Sequence, residues 1–113
     1  MAFYKVLLVC AAGMSSSLLE AKTIQAAKRR GHELDIHAVS VGEIAIFDFG
    51  AKTLDLILIA PQVRYKKKSL TQLAAPYGIR VEDIDPVTFG MVDGEKLFQK
   101  IIDSVPKEEI SSD

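Results

Sequence analysis

A single cysteine, Cys10, ends a short apolar run and begins a loop of small residues. The loop residues are Ala11, Ala12, Gly13, Met14, Ser15, Ser16 and Ser17. Small side chains let successive backbone N–H groups point into one concavity, which can bind an anion. A helix that begins after the loop would add its own N–H donors and the positive end of its dipole. The same surroundings favour the thiolate of Cys10, which would then be a nucleophile toward a bound phosphoryl group.

A second interpretation of these residues is that Cys10 is buried and unreactive, and that the serines only cap a helix.

The amino-acid composition argues against several other functions of this chain. One cysteine cannot form an internal disulfide, and with only His32 and His37 beside it a four-ligand structural zinc site is not expected. The 14 Lys and Arg residues and 15 Asp and Glu residues give a net charge of −1, which argues against a nucleic-acid-binding protein.

The positions of the apolar residues predict four strands that alternate with four helices, in one domain over residues 1–105. The predicted strands are 3–10, 34–39, 54–60 and 79–84, and the predicted helices are 17–30, 41–50, 65–75 and 94–105. Residues 106–113 are predicted to form a flexible tail. The buried stripe of the first helix is predicted to comprise Leu18, Leu19, Ala21, Ile24, Ala26 and Ala27.

This alternation predicts an α/β fold of three layers, with a parallel sheet between two layers of helices. Residues 6–9 and 56–59 are continuously apolar, which is typical of central strands. The second and fourth strands alternate apolar with polar residues and suit the edges, so the expected strand order is 2-1-3-4. In that order a binding crevice lies between the carboxyl ends of strands one and three, where Cys10 is located.

The sequence also predicts a cytoplasmic protein. No apolar run approaches the roughly 20 residues that cross a bilayer. The apolar N-terminal run is interpreted as a strand, because no long hydrophobic region or cleavage site of a signal peptide accompanies it. The lone cysteine agrees with a reducing compartment.

Three segments, VLLVCAAGMSSSLL, APQVRY and IDPVTFGMVDG, occur in this order along the chain. They resemble the lactose/cellobiose-family enzyme IIB component of the bacterial phosphoenolpyruvate-dependent sugar phosphotransferase system (PTS), over residues 4–102. The resemblance implies that Cys10 takes a phosphoryl group from a phosphohistidine of enzyme IIA. Cys10 would then pass the group to a sugar of the cellobiose, lactose or chitobiose type on the membrane enzyme IIC. It further implies a monomer without metal or organic cofactor that docks transiently at the inner face of the membrane.

The Cys10 loop also resembles the phosphate loop of low-molecular-weight tyrosine phosphatases, whose fold is similar to the one expected here. Those enzymes have an arginine where this chain has Ser16. Loss of that guanidinium suits a carrier, because water attack on a phosphocysteine would be less well stabilised. Asp85, followed by Pro86, stands roughly where these phosphatases have an Asp-Pro general acid. A cysteine phosphatase, an arsenate-reductase-like enzyme and a non-catalytic phosphate-binding module therefore stay open as alternatives.

The segment after the third strand is predicted to flank Cys10, because that strand borders the crevice. Gln62, Arg64 and Tyr65 are candidates for docking a partner or for contacting the phosphate. Lysines 66–68 follow, in what would be the first turn of a helix, where the helix dipole disfavours cations. They are interpreted either as a solvated helix face or as a site that recognises phosphate or an acidic partner.

Overall fold

The computed structural model describes residues 3–11, 17–46 and 54–105. Within these residues the strands are β1 (Phe3–Cys10), β2 (Glu33–Ser40), β3 (Leu56–Ile59) and β4 (Arg80–Asp83). The α-helices are α1 (Ser17–Arg29), α2 (Lys67–Ala74), α3 (Pro86–Gly90) and α4 (Gly94–Ser104). Short 3-10 helices cover Val41–Ile46, Pro61–Lys66 and Ala75–Tyr77. The predicted tail and most of the loop after Cys10 lie outside the described residues.

The four strands form one parallel sheet in the order β2-β1-β3-β4, which confirms the predicted order. Val9 of β1 lies between Val39 of β2 and Ile59 of β3, and Ile59 lies beside Asp83 of β4. All residues of β3 are buried, whereas β2 alternates between exposed and buried positions over most of its length. Burial thus follows the apolar patterns that distinguish a central strand from an edge strand.

Side chains of β1 point alternately to the two faces of the sheet and contribute to two separate cores. On one face, Val6 and Leu8 share a core with α1 and with Phe98 of α4. On the other face, Leu7 shares a core with Leu70 of α2. The sheet is therefore covered by helices on both sides, which confirms the three-layer α/β architecture.

The buried face of α1 differs from the predicted stripe. Its buried residues are Leu19, Thr23, Ala26 and Ala27. Leu18 and Ala21 are exposed, so their inclusion in the stripe is wrong. The contact face is instead centred on Thr23, because α4 begins against the backbone of this part of α1. The Thr23 hydroxyl donates a hydrogen bond to the Leu19 carbonyl at 2.6 Å, which allows a polar side chain to be buried there.

The helix predicted over 65–75 is a series of three shorter segments. The backbone of Val63, with φ −123° and ψ 21°, interrupts the 3-10 helix Pro61–Lys66, and α2 follows it directly. A final 3-10 turn, Ala75–Tyr77, then leads to Gly78. The φ of +69° at Gly78 lies in the left-handed region, where glycine is favoured, and it turns the chain into β4.

Candidate functional site

Cys10 is the last residue of β1, at the carboxyl edge of the sheet. From β1 the chain continues through α1 to β2 on one side, whereas β3 pairs with β1 on the other side. The connections therefore diverge between the ends of β1 and β3. Open parallel sheets bind ligands at such a switch point. Cys10 therefore lies at the position in the topology where sheets of this kind bind ligands.

The Cys10 side chain is directed into the protein and is only 4% exposed. Its sulfur lies 3.5 Å from the carbonyl oxygen of Val39, to which the thiol donates a hydrogen bond. Ala60 and Val63, which follow β3, belong to the same core cluster. The thiol is thus held between the ends of β2 and β3, and its proton has a defined acceptor.

The loop after Cys10 is described only at its two ends. Ala11 is partly buried directly after β1, and Ser17 is the exposed first residue of α1. Residues 12–16 lie outside the described part of the chain, so the anion nest expected there stays a prediction. The start of α1 at Ser17 confirms that a helix follows the loop. This helix has 13 residues, so its N-terminal N–H groups and dipole are available at this edge of the sheet.

The segment after β3 supplies the other wall of the site. The Ala60 N–H donates to the Val9 carbonyl at 2.8 Å, which extends the pairing of β1 and β3 to the end of β3. Val63 is buried, and its N–H donates to the Ala60 carbonyl at 3.0 Å. The residues next to Val63 that are exposed are Gln62, Arg64 and Tyr65. The predicted flanking residues therefore follow the strand next to Cys10, with their side chains in solvent.

Asp85 lies after β4 and caps helix α3, which the sequence patterns above do not predict. Its carboxylate accepts hydrogen bonds from the Thr88 N–H at 3.0 Å and from the Thr88 hydroxyl at 3.4 Å. Asp85 follows β4, which is two strands away from the strand of Cys10, β1. Neighbouring strands are about 4.8 Å apart. The cap accounts for Asp85 next to Pro86, because proline is favoured in the first helical position. Asp85 followed by Pro86 was the signal in the sequence that could have identified α3.

The three lysines at the start of α2 differ from one another. Lys67 forms an ion pair with Asp83 at the end of β4, with 2.9 Å between Nζ and Oδ1. This hydrogen bond raises the pKa of Lys67 above its ordinary value and lowers the pKa of Asp83 below its own. Lys66 and Lys68 are exposed and have no ion pair within the described part of the chain. Only the middle lysine therefore has a structural role in the described structure.

Neither histidine is close to the switch point. His32 precedes β2 and packs against the rings of Tyr4 and Phe98, with centroid distances of 5.9 and 5.8 Å. His37 is exposed on the edge strand β2. Among the described residues there is no group of three or more His, Cys, Asp or Glu side chains that could hold a metal ion. No helix in the described ranges is long and apolar enough to cross a membrane.

The fold and the site together define a small parallel α/β domain with one cysteine at its switch point. Residues 5–100 match the family model described as the lactose/cellobiose-specific IIB subunit of the PTS. The chain belongs to this family. The match confirms the family that the three sequence segments resemble.

Individual relatives agree with this assignment. The chain is 39% identical over 98 residues to the oligo-beta-mannoside-specific EIIB component of Bacillus subtilis strain 168, a match that covers 87% of this chain and 92% of the relative. The lactose-specific IIB domain of Streptococcus pneumoniae has the same fold, with a TM-score of 0.76, 22% identity, and coverage of 89% and 96%. The cellobiose-specific IIB protein of Borrelia burgdorferi gives a TM-score of 0.68 at 33% identity, with coverage of 91% and 92%.

Family membership makes the chain a sugar-specific IIB component of the PTS, within a system that has sugar phosphotransferase activity. IIB components in general work together with IIA and IIC components. The matches cover 92% of the Bacillus subtilis relative and 96% of the Streptococcus pneumoniae domain.

Proposed function

We propose that Cys10 is the phosphoryl carrier of this IIB component. Cys10 would accept the group from a phosphohistidine of a IIA component and pass it to a sugar bound by a IIC component. The observation that carries the proposal is the position of the thiol at the switch point, seven residues before the polar start of α1 at Ser17. A cysteine that only filled the core would not require this position.

In the first transfer, the Cys10 sulfur attacks phosphorus in line with the P–N bond of the donor histidine. An S–P bond forms, the P–N bond breaks, and the imidazole leaves. The thiol proton, directed to the Val39 carbonyl at rest, ends on the departing imidazole nitrogen, which makes the donor histidine neutral. In the second transfer, a sugar hydroxyl attacks phosphorus, the S–P bond breaks, and the hydroxyl proton restores the thiol.

The phosphocysteine dianion needs several hydrogen-bond donors. The N-terminus of α1 and the backbone amides of residues 11–17 would hold it. Ser16, rather than arginine, then leaves the dianion without a guanidinium to stabilise attack by water. The carrier would therefore keep its phosphoryl group until a sugar arrives.

The sugar would be a β-linked oligosaccharide. Two of the relatives named above are at least 30% identical to this chain, and they are specific for oligo-beta-mannosides and for cellobiose. Both kinds of sugar contain a β-glycosidic bond. A cytoplasmic monomer that meets IIA and IIC in turn, through small and transient contacts, fits this role.

Phosphorylation in a reconstituted system tests the proposal. The protein is incubated with enzyme I, HPr, a matching IIA and phosphoenolpyruvate, and its intact mass and phosphopeptides are measured. One phosphoryl group on Cys10, and none in Cys10→Ser, is the expected result. A phosphoryl group on His32 or His37 instead would contradict it.

The same samples separate the carrier from a hydrolase and from a binding module. Steady hydrolysis of p-nitrophenyl phosphate that depends on Cys10 would indicate a cysteine phosphatase. Stable partner binding in Cys10→Ala, with no phosphoprotein detected for the unmodified chain, would indicate a non-catalytic module. Neither result is expected.

A further inference from the structure

Three cations at the carboxyl edge of the sheet form no ion pair with any residue in the described part of the chain. We call Arg64, Lys66 and Lys68 the basic rim; they follow β3, the strand that pairs with β1. All three are exposed, and none makes a hydrogen bond or ion pair through its side chain with another described residue. The Lys67–Asp83 pair lies within the same run but is neutral as a pair. The run therefore has three positive charges that face solvent.

These charges are poorly placed for stability. Lys66 directly precedes α2 and Lys68 lies in its first turn, where the positive end of the helix dipole disfavours cations. The Lys66 backbone leads into α2 without a side-chain cap. The full chain has a net charge of −1, so this local excess does not follow from its composition. A binding site for a negatively charged partner would account for such a cluster of cations.

The side chain beside the basic rim favours a protein over a lipid surface or free phosphate. Tyr65 lies between Arg64 and Lys66 and is 71% exposed. An exposed tyrosine next to an arginine is typical of protein interfaces, where both residue types are enriched.

We infer that the basic rim, with Tyr65, docks the phosphorylated form of the phosphoryl donor, whose contact surface is acidic. This inference rests on the proposed function. A phosphohistidine places about two negative charges on the donor surface, whereas the sugar offered by the acceptor is neutral. The basic rim therefore attracts the loaded donor more strongly than the unloaded donor. It also speeds the encounter, because complementary charges steer association.

Matched double variants test this. Lys66→Gln/Lys68→Gln removes two charges of the basic rim. Lys28→Gln/Lys96→Gln removes two exposed charges from the end of α1 and the start of α4, and leaves the same net charge. The second-order rate constant of phosphoryl transfer from the phosphorylated donor is measured by rapid quench at several salt concentrations.

At low ionic strength, the rate constant of Lys66→Gln/Lys68→Gln is expected to fall about tenfold. The rate constant of the control, Lys28→Gln/Lys96→Gln, should fall far less. The loss should shrink as salt shortens the Debye length from about 30 Å at 0.01 M to about 3 Å at 1 M. Equal losses in both variants, or a loss that is independent of salt, would overturn the inference.

Equilibrium binding keeps the inference testable if Cys10 accepts no phosphoryl group. In a Cys10→Ser background, phosphorylated and unphosphorylated donor are titrated against both double variants. The rim variant should lose affinity for the phosphorylated donor specifically. If instead it binds that donor normally and loses only its binding to phosphatidylserine-containing vesicles, the basic rim recognises a membrane and the inference is wrong. Absence of transfer to Cys10 in every variant would reject the proposed function separately.

Discussion

Gly94 at the start of α4 touches the backbone of Lys22 in α1. A Cβ atom at Gly94 would lie 2.4 Å from the Lys22 carbonyl carbon and 2.5 Å from its oxygen. These neighbours are backbone atoms of a helix and cannot move aside independently. The absence of a side chain at Gly94 is therefore a condition for the contact between α1 and α4, which together cover one face of the sheet.

Gly94→Ala is expected to destabilise the protein by about 1–3 kcal/mol, because the added methyl group forces the two helices apart. Urea denaturation followed by circular dichroism measures this. Gly90→Ala is the matched control, since nothing lies within 4 Å of a Cβ at that position. An equal effect of the two substitutions would show that the close approach is not the cause.

The adjacent leucines of α1 give a test of its orientation. Leu19→Ala should cost about 2–5 kcal/mol of unfolding free energy, because Leu19 is 3% exposed and belongs to the core. Leu18→Ala should change that free energy by less than about 0.5 kcal/mol. Thermal and urea denaturation measure both. If Leu18→Ala proves the more damaging change, α1 has the orientation that its apolar stripe predicts.

The Lys67–Asp83 pair should make stability depend on pH in a defined way. Asp83 has a lowered pKa, so its contribution is full above the pKa of an unfolded aspartate and is lost as the pH falls through the lowered value. Lys67 has a raised pKa, so its contribution is full below the pKa of an unfolded lysine and is lost as the pH rises through the raised value. The pair thus acts fully between about pH 4 and pH 10.

Solvent screens this half-exposed pair, so Asp83→Asn should cost only about 0.5 kcal/mol at pH 7. The cost should disappear as the pH falls below the lowered pKa of Asp83. Denaturation curves at several pH values measure it. Asp35→Asn on the exposed side of β2 is the control. The two variants should differ at pH 7 and converge in acid; parallel curves would contradict the role of the pair.

Asp85 can be tested as a helix cap and as a chemical group separately. Asp85→Ala should lose about 1 kcal/mol through the missing hydrogen bond to Thr88. Asp85→Asn should keep both the stability and the phosphoryl transfer, because asparagine caps helices as well as aspartate does. Denaturation and single-turnover transfer measure the two effects. A stable Asp85→Asn that fails to transfer would assign the carboxylate a direct chemical role.

The sheet could be predicted because its signals are local. Continuous apolar runs at 6–9 and 56–59 mark burial on both faces, and this alone places β1 and β3 in the centre. The position of Cys10 then follows from topology. The geometry expected for residues 12–16 stays a prediction, since the described ranges do not include them.

Other features depend on contacts between distant parts of the chain. Leu18 and Leu19 are equally apolar, and which of them is buried depends on where α4 crosses α1. Pairing of Lys67 with Asp83 depends on how α2 packs on β4. The sequence alone therefore could not show which of the three lysines forms an ion pair. Local patterns contain no information about either contact.

Val63 and Lys67 have a consequence for how the basic rim meets a partner. Val63 is buried beside Ala60, and Lys67 is joined to the end of β4, so the backbone between them is anchored at both ends. A partner that binds there would meet a backbone that is already held in place, so mainly side chains would lose freedom on binding. Preorganisation of this kind lowers the entropic cost of association, so a small contact area would suffice for the docking that we propose.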